Sequence, residues 1–200
     1  MIQLFKVRMS PRAKDAVGQV LDSGYIGQGS KVDEFEKLLR EELNSEVTPV
    51  TVNSCTSAID LALDLIGVGP DDEVISTPQT CFASQVGAMH RHAIIKWADI
   101  DPITGCIDPK SVEKLISNKT KAIIAVNWAG RFCDYKSLKG HGIPVIEDAA
   151  HTWNDINNQY VWWLERGDYI CYSFQAIKFL TTGDGGILIP PKDKEEDARL

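Results

Sequence analysis

No apolar run in this sequence is long enough to cross a bilayer, and its opening, MIQLFKVRMSPRAK, lacks the apolar stretch and cleavage site of a signal peptide. The expectation is a cytoplasmic protein without a membrane partner. No C-x-x-C or zinc-type spacing joins Cys55, Cys81, Cys106, Cys133 and Cys171, so the cysteines read as reduced thiols. No basic stripe offsets the net charge of −7, which argues against nucleic acid. Internal repeats, low-complexity tracts and Pro/Gly-rich linkers are missing too. The 200 residues fit one ordinary domain, or most of a larger one.

What the sequence does have is an alternation of short apolar runs with amphipathic stretches. Strands are predicted at 48–53, 72–77, 93–98, 121–127, 143–148, 168–173 and 185–190. Several are unbroken Val/Ile runs, as expected of strands covered on both faces. Helices are predicted at 11–22, 32–44, 57–66, 82–91, 109–117 and 134–140. In the second, Val32, Phe35, Leu38, Leu39 and Leu43 fall on one face, and Ser57-x-x-Asp60 reads as a capping box opening the third. This order predicts an α/β protein of three layers, a mainly parallel seven-stranded sheet between helices. The final PPKDKEEDARL reads as the opening of a further helix, with acids in its first turn.

Three stretches carry residues suited to chemistry. In VIEDAAH (145–151), Asp148 ends a strand, where open α/β sheets place ligands; capping the next helix is its ordinary alternative. In VNSCTSAIDLAL (52–63) a strand passes through a small-residue turn into a helix. Its backbone N–H groups, with the Thr56 and Ser57 hydroxyls, suit a phosphate, although N-caps use the same residues. In YSFQAIKFLTTGDGGIL (172–188), Lys178 lies among Phe174, Ala176, Ile177, Phe179 and Leu180, ahead of three glycines. It is either surface decoration or a desolvated amine, whose lowered proton affinity would make it a nucleophile toward carbonyl carbon. Together a phosphate cradle, a strand-end acid and such a lysine are the parts that bind pyridoxal phosphate (PLP). The glycines would then allow a tight turn and close approach to the cofactor.

Other signals carry less. DIDPITGCID (99–108) echoes a calcium loop but puts its glycine seventh and Ile103 and Ile107 at ligand or turn positions. His90 and His92 lack a third ligand nearby and read as solvated. Trp162-Trp163 reads as either a partner-facing patch or a buried anchor.

The order of GYIGQGSKVDEFE (24–36), NSCTSAIDLAL, STPQTCFAS (76–84), DIDPITGCIDP, VIEDAAH and SFQAIKFLTTGDGG (173–186) resembles the DegT/DnrJ/EryC1/StrS family of fold-type-I, aspartate-aminotransferase-like PLP enzymes. The resemblance implies that Lys178 forms the Schiff base and shuttles the proton, and that Asp148 pairs with the pyridinium nitrogen. It further implies that His151, where the family usually has glutamine, lies near the phenolic oxygen; packing is the other role open to this histidine. Phe82 would stack on the ring, with a core aromatic as its alternative, while Thr56, the Cys55 backbone and Ser173 would hold the phosphate. Cys55 replaces a common glycine or alanine. AVNWAG (125–130) replaces His-x-Tyr-Gly, putting Asn127 and Ala129 at positions that often shape the pocket, and 152–168 lacks the usual glycines.

The expected function is PLP-dependent transamination of a nucleotide-linked keto-sugar, with glutamate as donor. Residues 1–200 would form the large domain, and the small domain would be absent from this chain. A homodimer, a complementing C-terminal chain, or both would complete the site. The alternatives are a non-catalytic or half-subunit assembly protein and a related sugar dehydratase; those dehydratases carry histidine where this chain has Lys178.

Overall fold

The computed structural model describes residues 6–153 and 165–200, so Trp162-Trp163 and most of the unusual 152–168 stretch lie outside the described residues. Seven strands form one sheet: β1 (Val50–Val52), β2 (Glu73–Ser76), β3 (Ile94–Trp97), β4 (Thr120–Val126), β5 (Val145–Asp148), β6 (Tyr169–Ser173) and β7 (Gly186–Ile189). Their order is β1-β7-β6-β5-β4-β2-β3. All neighbours from β6 to β3 pair parallel, while β7 is antiparallel to both β6 and β1. Hence β1 runs the same way as β6, and the carboxyl ends of β1, β4, β5 and β6 meet the start of β7 at one edge.

The strands are apolar on both sides because both sides are covered. Ile124 of β4, Ile146 of β5 and Cys171 of β6 pack with Ala58, Ile59 and Leu63 of helix α3 (Cys55–Ile66). Their alternate neighbours Ile123, Ala125 and Val145 pack with Val112 of α5 (Pro109–Glu113) and with Tyr135 and Leu138 of α6 (Tyr135–Lys139). Fully burying such an Ile or Leu side chain stabilises the fold by about 1.5–3 kcal/mol. The period-two alternation therefore decides which way every polar residue at a strand end faces.

Helix α1 (Ala13–Ser23) has no buried residue, leaving Val17 and Leu21 more than half exposed. Helix α2 (Ser30–Glu42) is fastened by buried Glu36, which accepts from the Thr51 N–H and hydroxyl at 2.8 Å and pairs with Arg199 at 3.0 Å. Arg199 belongs to the terminal segment expected to open a helix. That segment instead makes two short 3₁₀ turns, Lys192–Lys194 and Asp197–Arg199, and Glu195 accepts from Thr48 N at 2.9 Å. Glu195 and Arg199 are thus held by partners across the fold.

The capping box is also revised. Helix α3 begins at Cys55, and its cap is Ser54, whose hydroxyl accepts from Ser57 N at 3.1 Å. Asp60 bonds Arg91 instead. The expected helix 82–91 divides into a 3₁₀ turn, Phe82–Ser84, and the short α4, Val86–His90. Buried Gln85 stands at the division, its amide bonded to Ser76 Oγ and Thr77 O. Asp101, second acid of the calcium-like echo, accepts from the N–H groups of Ile103 and Thr104 in a tight turn. His90 and His92 are exposed.

Candidate active site

A cavity of 420 Å³ opens at the carboxyl edge of the sheet, walled by Val126, Asp148 and Ser173, the last residues of β4, β5 and β6. Cys55 and Thr56 bring the first turn of α3 into it, and His151 and Lys178 come from the loops after β5 and β6. Six of the seven residues singled out in the sequence thus line one space. Phe82 does not. It is 62% exposed at the head of the 3₁₀ turn, which excludes a core aromatic, and Cys81, Ala83 and Ser84 line the cavity beside it.

Asp148 shares its face with Ile146 and so points to the α3 side of the sheet. It is only 6% exposed. Its Oδ2 accepts from Ser84 Oγ at 2.7 Å, and its Oδ1 accepts from Ala150 N at 3.1 Å and from the Cys55 thiol at 3.8 Å. Ser84 is itself buried and shares a hydrogen bond of 2.7 Å with Thr80 Oγ1, which also borders the cavity. The helix-capping alternative for Asp148 survives only as the short turn through Ala150. Burial, and then the Asp148 charge, push the Cys55 thiol well above its usual range, so it stays protonated and can donate.

His151 titrates below its ordinary value because it is partly buried and faces the Lys178 charge, with Asp148 acting in the opposite sense. Its Nδ1 accepts from Ala129 N at 3.4 Å. The neutral ring therefore carries its proton on Nε2, which remains free to donate. Lys178 is half-buried, since Ile177 and Phe179 beside it are 49% and 68% exposed. The apolar flank thus does not enclose the amine as expected; it borders open space.

The glycines after Lys178 reverse the chain into β7. Gly183 and Gly185 have φ of 95° and 134°, a region unfavourable to residues with a Cβ. At Gly186 a Cβ would lie 2.6 Å from Cys55 N. The close approach that this glycine permits is to α3, bringing the helix start and the end of β6 together around the cavity. Ser173 Oγ accepts only a long bond from Gln175 N at 3.4 Å, and the Thr56 hydroxyl makes none among the described residues.

Asn127 does not shape this cavity. On the opposite face, it donates to Glu147 Oε1 at 2.8 Å and to Thr152 Oγ1, and accepts from Tyr135 OH at 2.7 Å and Cys133 N. Glu147 is held by Arg166 and by Gly167 N. Sequence reasoning missed this cluster as well as Ser84 and Thr80. A glutamate inside the run VIED was the available signal for the cluster, because a charge within a two-sided strand needs a partner. Nothing comparable marked Ser84. All five cysteines are free, and among the described residues no acidic or thiol cluster suited to a metal occurs.

Comparison with known proteins adds the following. A model of the DegT/DnrJ/EryC1/StrS aminotransferase family matches residues 8–199. The spore coat polysaccharide biosynthesis protein SpsC of Bacillus subtilis (strain 168) is 37% identical over 190 residues, covering 90% of this chain and 47% of SpsC. Among solved structures, AtS13 from Actinomadura melliaura has a TM-score of 0.91 and 41% identity, covering 100% of this chain and 56% of AtS13. The PLP form of the putative sugar aminotransferase Spr1654 from Streptococcus pneumoniae has a TM-score of 0.89 and 30% identity, covering 99% of this chain and 56% of its own. The chain spans about half the length of these relatives.

Proposed function

The chain belongs to the DegT/DnrJ/EryC1/StrS aminotransferase family, and from that premise we propose that its cavity holds pyridoxal phosphate and serves transamination of a nucleotide-linked keto-sugar, with glutamate as the amino donor. The observation that carries this reading is the meeting of Asp148, Lys178 and the first turn of α3 in one cavity.

The donor set fits the cofactor. A buried carboxylate with three donors already on it suits a cationic ring nitrogen, and an unpartnered hydroxyl at the start of a twelve-residue helix suits a phosphate. When bound, the cofactor supplies an electron-poor ring that accepts the electron pair left by a broken C–H bond. Asp148, held in place by Ser84 and the Ala150 amide, would keep the ring nitrogen protonated. Thr56, the Cys55 amide and Ser173 would hold the phosphate. His151 would donate a hydrogen bond from Nε2 to the phenolic oxygen. Lys178 would hold the cofactor's carbonyl carbon and, once free, would move the proton at the substrate carbon as general base and acid. Phe82, exposed at the rim, is the candidate to close over the ring.

The unburied helix α1, with Val17 and Leu21 exposed, favours a second copy or a partner chain completing the site. A non-catalytic, half-subunit role in assembly is the alternative consistent with the same observation. A dehydratase is disfavoured by Lys178 itself. The test is an absorption spectrum of the purified chain with added PLP, then borohydride reduction and peptide mapping. A visible band and an adduct on Lys178 that vanishes in Lys178→Ala are expected. No band and no adduct would overturn this chain's competence to bind the cofactor alone and favour the assembly role.

A further inference from the structure

A second cavity, of 780 Å³, adjoins the first and shares Ala150, His151, Ile177 and Lys178 with it. Its far wall comes from the other end of the chain, where Lys6 and Arg8 project into it. Among the described residues no aspartate or glutamate lines this space, so three cationic side chains meet there in a chain whose net charge is −7. Among the described residues neither Lys6 nor Arg8 makes a side-chain hydrogen bond or ion pair. Arg40, Arg91, Arg131, Arg166 and Arg199, by contrast, all bond carbonyl or carboxylate oxygens. Like charges sharing a partly enclosed space repel, and that repulsion is relieved by an anion.

We propose that Lys6 and Arg8 form an oxyanion-recognition arm that grips a small-molecule substrate by its charged end while its reacting carbon faces Lys178. This rests on the reading of Lys178 given under Proposed function. The guanidinium fork of Arg8 matches the paired oxygens of a carboxylate or phosphoryl group, and Lys6 adds a mobile point charge. The volume suits a small organic molecule, and half-exposed Ile177 and Phe179 offer it apolar contact. The cofactor's own phosphate has its donors at the first turn of α3 and at Ser173, away from this arm. The shared chemistry is an oxyanion, and it has two sources: the carboxylates of an amino donor or the phosphoryl groups of a nucleotide-linked sugar.

Calorimetric titration of the PLP-saturated chain with glutarate, and separately with inorganic pyrophosphate, tests the arm. The variant Lys6→Gln/Arg8→Gln is expected to bind at least one of them about tenfold more weakly, the loss of charge-assisted hydrogen bonds. Lys37→Gln, at an exposed position of α2, removes a charge elsewhere and should stay within about twofold. Loss for glutarate alone assigns the arm to the donor, loss for pyrophosphate alone to the sugar nucleotide, and loss for both to a grip used in each half of the reaction. A wild-type chain that binds neither anion overturns the proposal. So does an unchanged double variant, or an equal loss in Lys37→Gln. A double variant that loses PLP but keeps both anions overturns it too, because the two cations would then hold the cofactor phosphate. Repeating the titrations with Lys178→Ala separates the claims. Anion binding that still depends on Lys6 and Arg8 there supports the arm even if no adduct ever forms on Lys178.

Discussion

Glu147 and Asp148 are consecutive residues of β5, both buried, both negatively charged in their ordinary state, and they face opposite sides of one sheet. Glu147 looks toward α6 into a closed cluster. Arg166 reaches it through Nε at 3.0 Å and Nη2 at 2.6 Å, Gly167 N at 2.9 Å and Asn127 at 2.8 Å. Arg166 also donates to Tyr172 OH and lies 5.2 Å over the ring of Phe132. Burial is the largest single influence and favours loss of the guanidinium proton, yet the Glu147 charge, the nearby Tyr172 and the hydrogen bonds to both together outweigh it and hold the proton more firmly than usual. Asp148 looks toward α3 and has hydroxyl, thiol and amide donors but, among the described residues, no cation bonded to it, with a cavity at its open side. Burial alone therefore does not mark a carboxylate as functional. A saturated carboxylate in a sealed cluster holds the frame, and one left without a counter-charge beside open space is available for a cationic ligand.

The largest effect should come from breaking the closed side. Glu147→Ala strands a mostly buried arginine, which costs about 3–5 kcal/mol, toward the lower end because the Arg166 side chain is 24% exposed. Asp148→Asn keeps the shape and most of the hydrogen bonds, so its stability should change by about 1 kcal/mol or less, while amino transfer by the complete enzyme falls by roughly two to three orders of magnitude. Urea denaturation of both variants beside wild type checks the first pair of numbers. Equal destabilisation by the two substitutions would erase the distinction between frame and site.

A smaller effect tests how firmly the open side is built. Ser84→Ala removes a 2.7 Å hydrogen bond to Asp148 and leaves Thr80 without its partner. A hydrogen bond to a charged group contributes about 1.5–3 kcal/mol, so PLP affinity should weaken by about tenfold or more. The denaturation midpoint should move little beside that of Glu147→Ala. Equilibrium titration of PLP by absorbance gives the affinity. Unchanged affinity would mean that the Ala150 amide and the Cys55 thiol suffice to orient Asp148.

How much of this contrast was legible beforehand differs between the two sides. The strands were, because runs such as KAIIAVN are apolar on both faces and nothing else accommodates them; β5 and β7 fall inside their predicted spans. Strand order was not, since it depends on pairings as distant as Val50 with Leu188. Asp148, Thr56 and Lys178 were legible as site candidates from their places at or just beyond strand ends, and Cys55, His151 and Ser173 from the family resemblance. Ser84 was not, as a serine in a small-residue turn has no periodic signature and its partner is 64 residues away. Lys6 and Arg8 were invisible for the same reason, their cavity being completed by residues from the other half of the chain.

The smallest expected effect concerns pH and again separates the two sides. Partial burial, and then the Lys178 charge, hold His151 below its ordinary value, whereas the unfolded chain titrates it near about 6.5. Between the depressed folded value and the unfolded one, the unfolded chain binds more protons. Stability contributed by the neutral ring is therefore fully present above the unfolded value and is lost as pH falls through the folded one. His151→Gln should reduce the acid loss without altering stability at neutral pH. For a half-exposed ring the difference is discounted to less than about 1 kcal/mol. Urea midpoints at pH 7.5 and 5 for wild type and variant measure it. If the variant keeps the whole acid dependence, His151 is not its source, and the open side of β5 would then be no more responsive to protons than the sealed one.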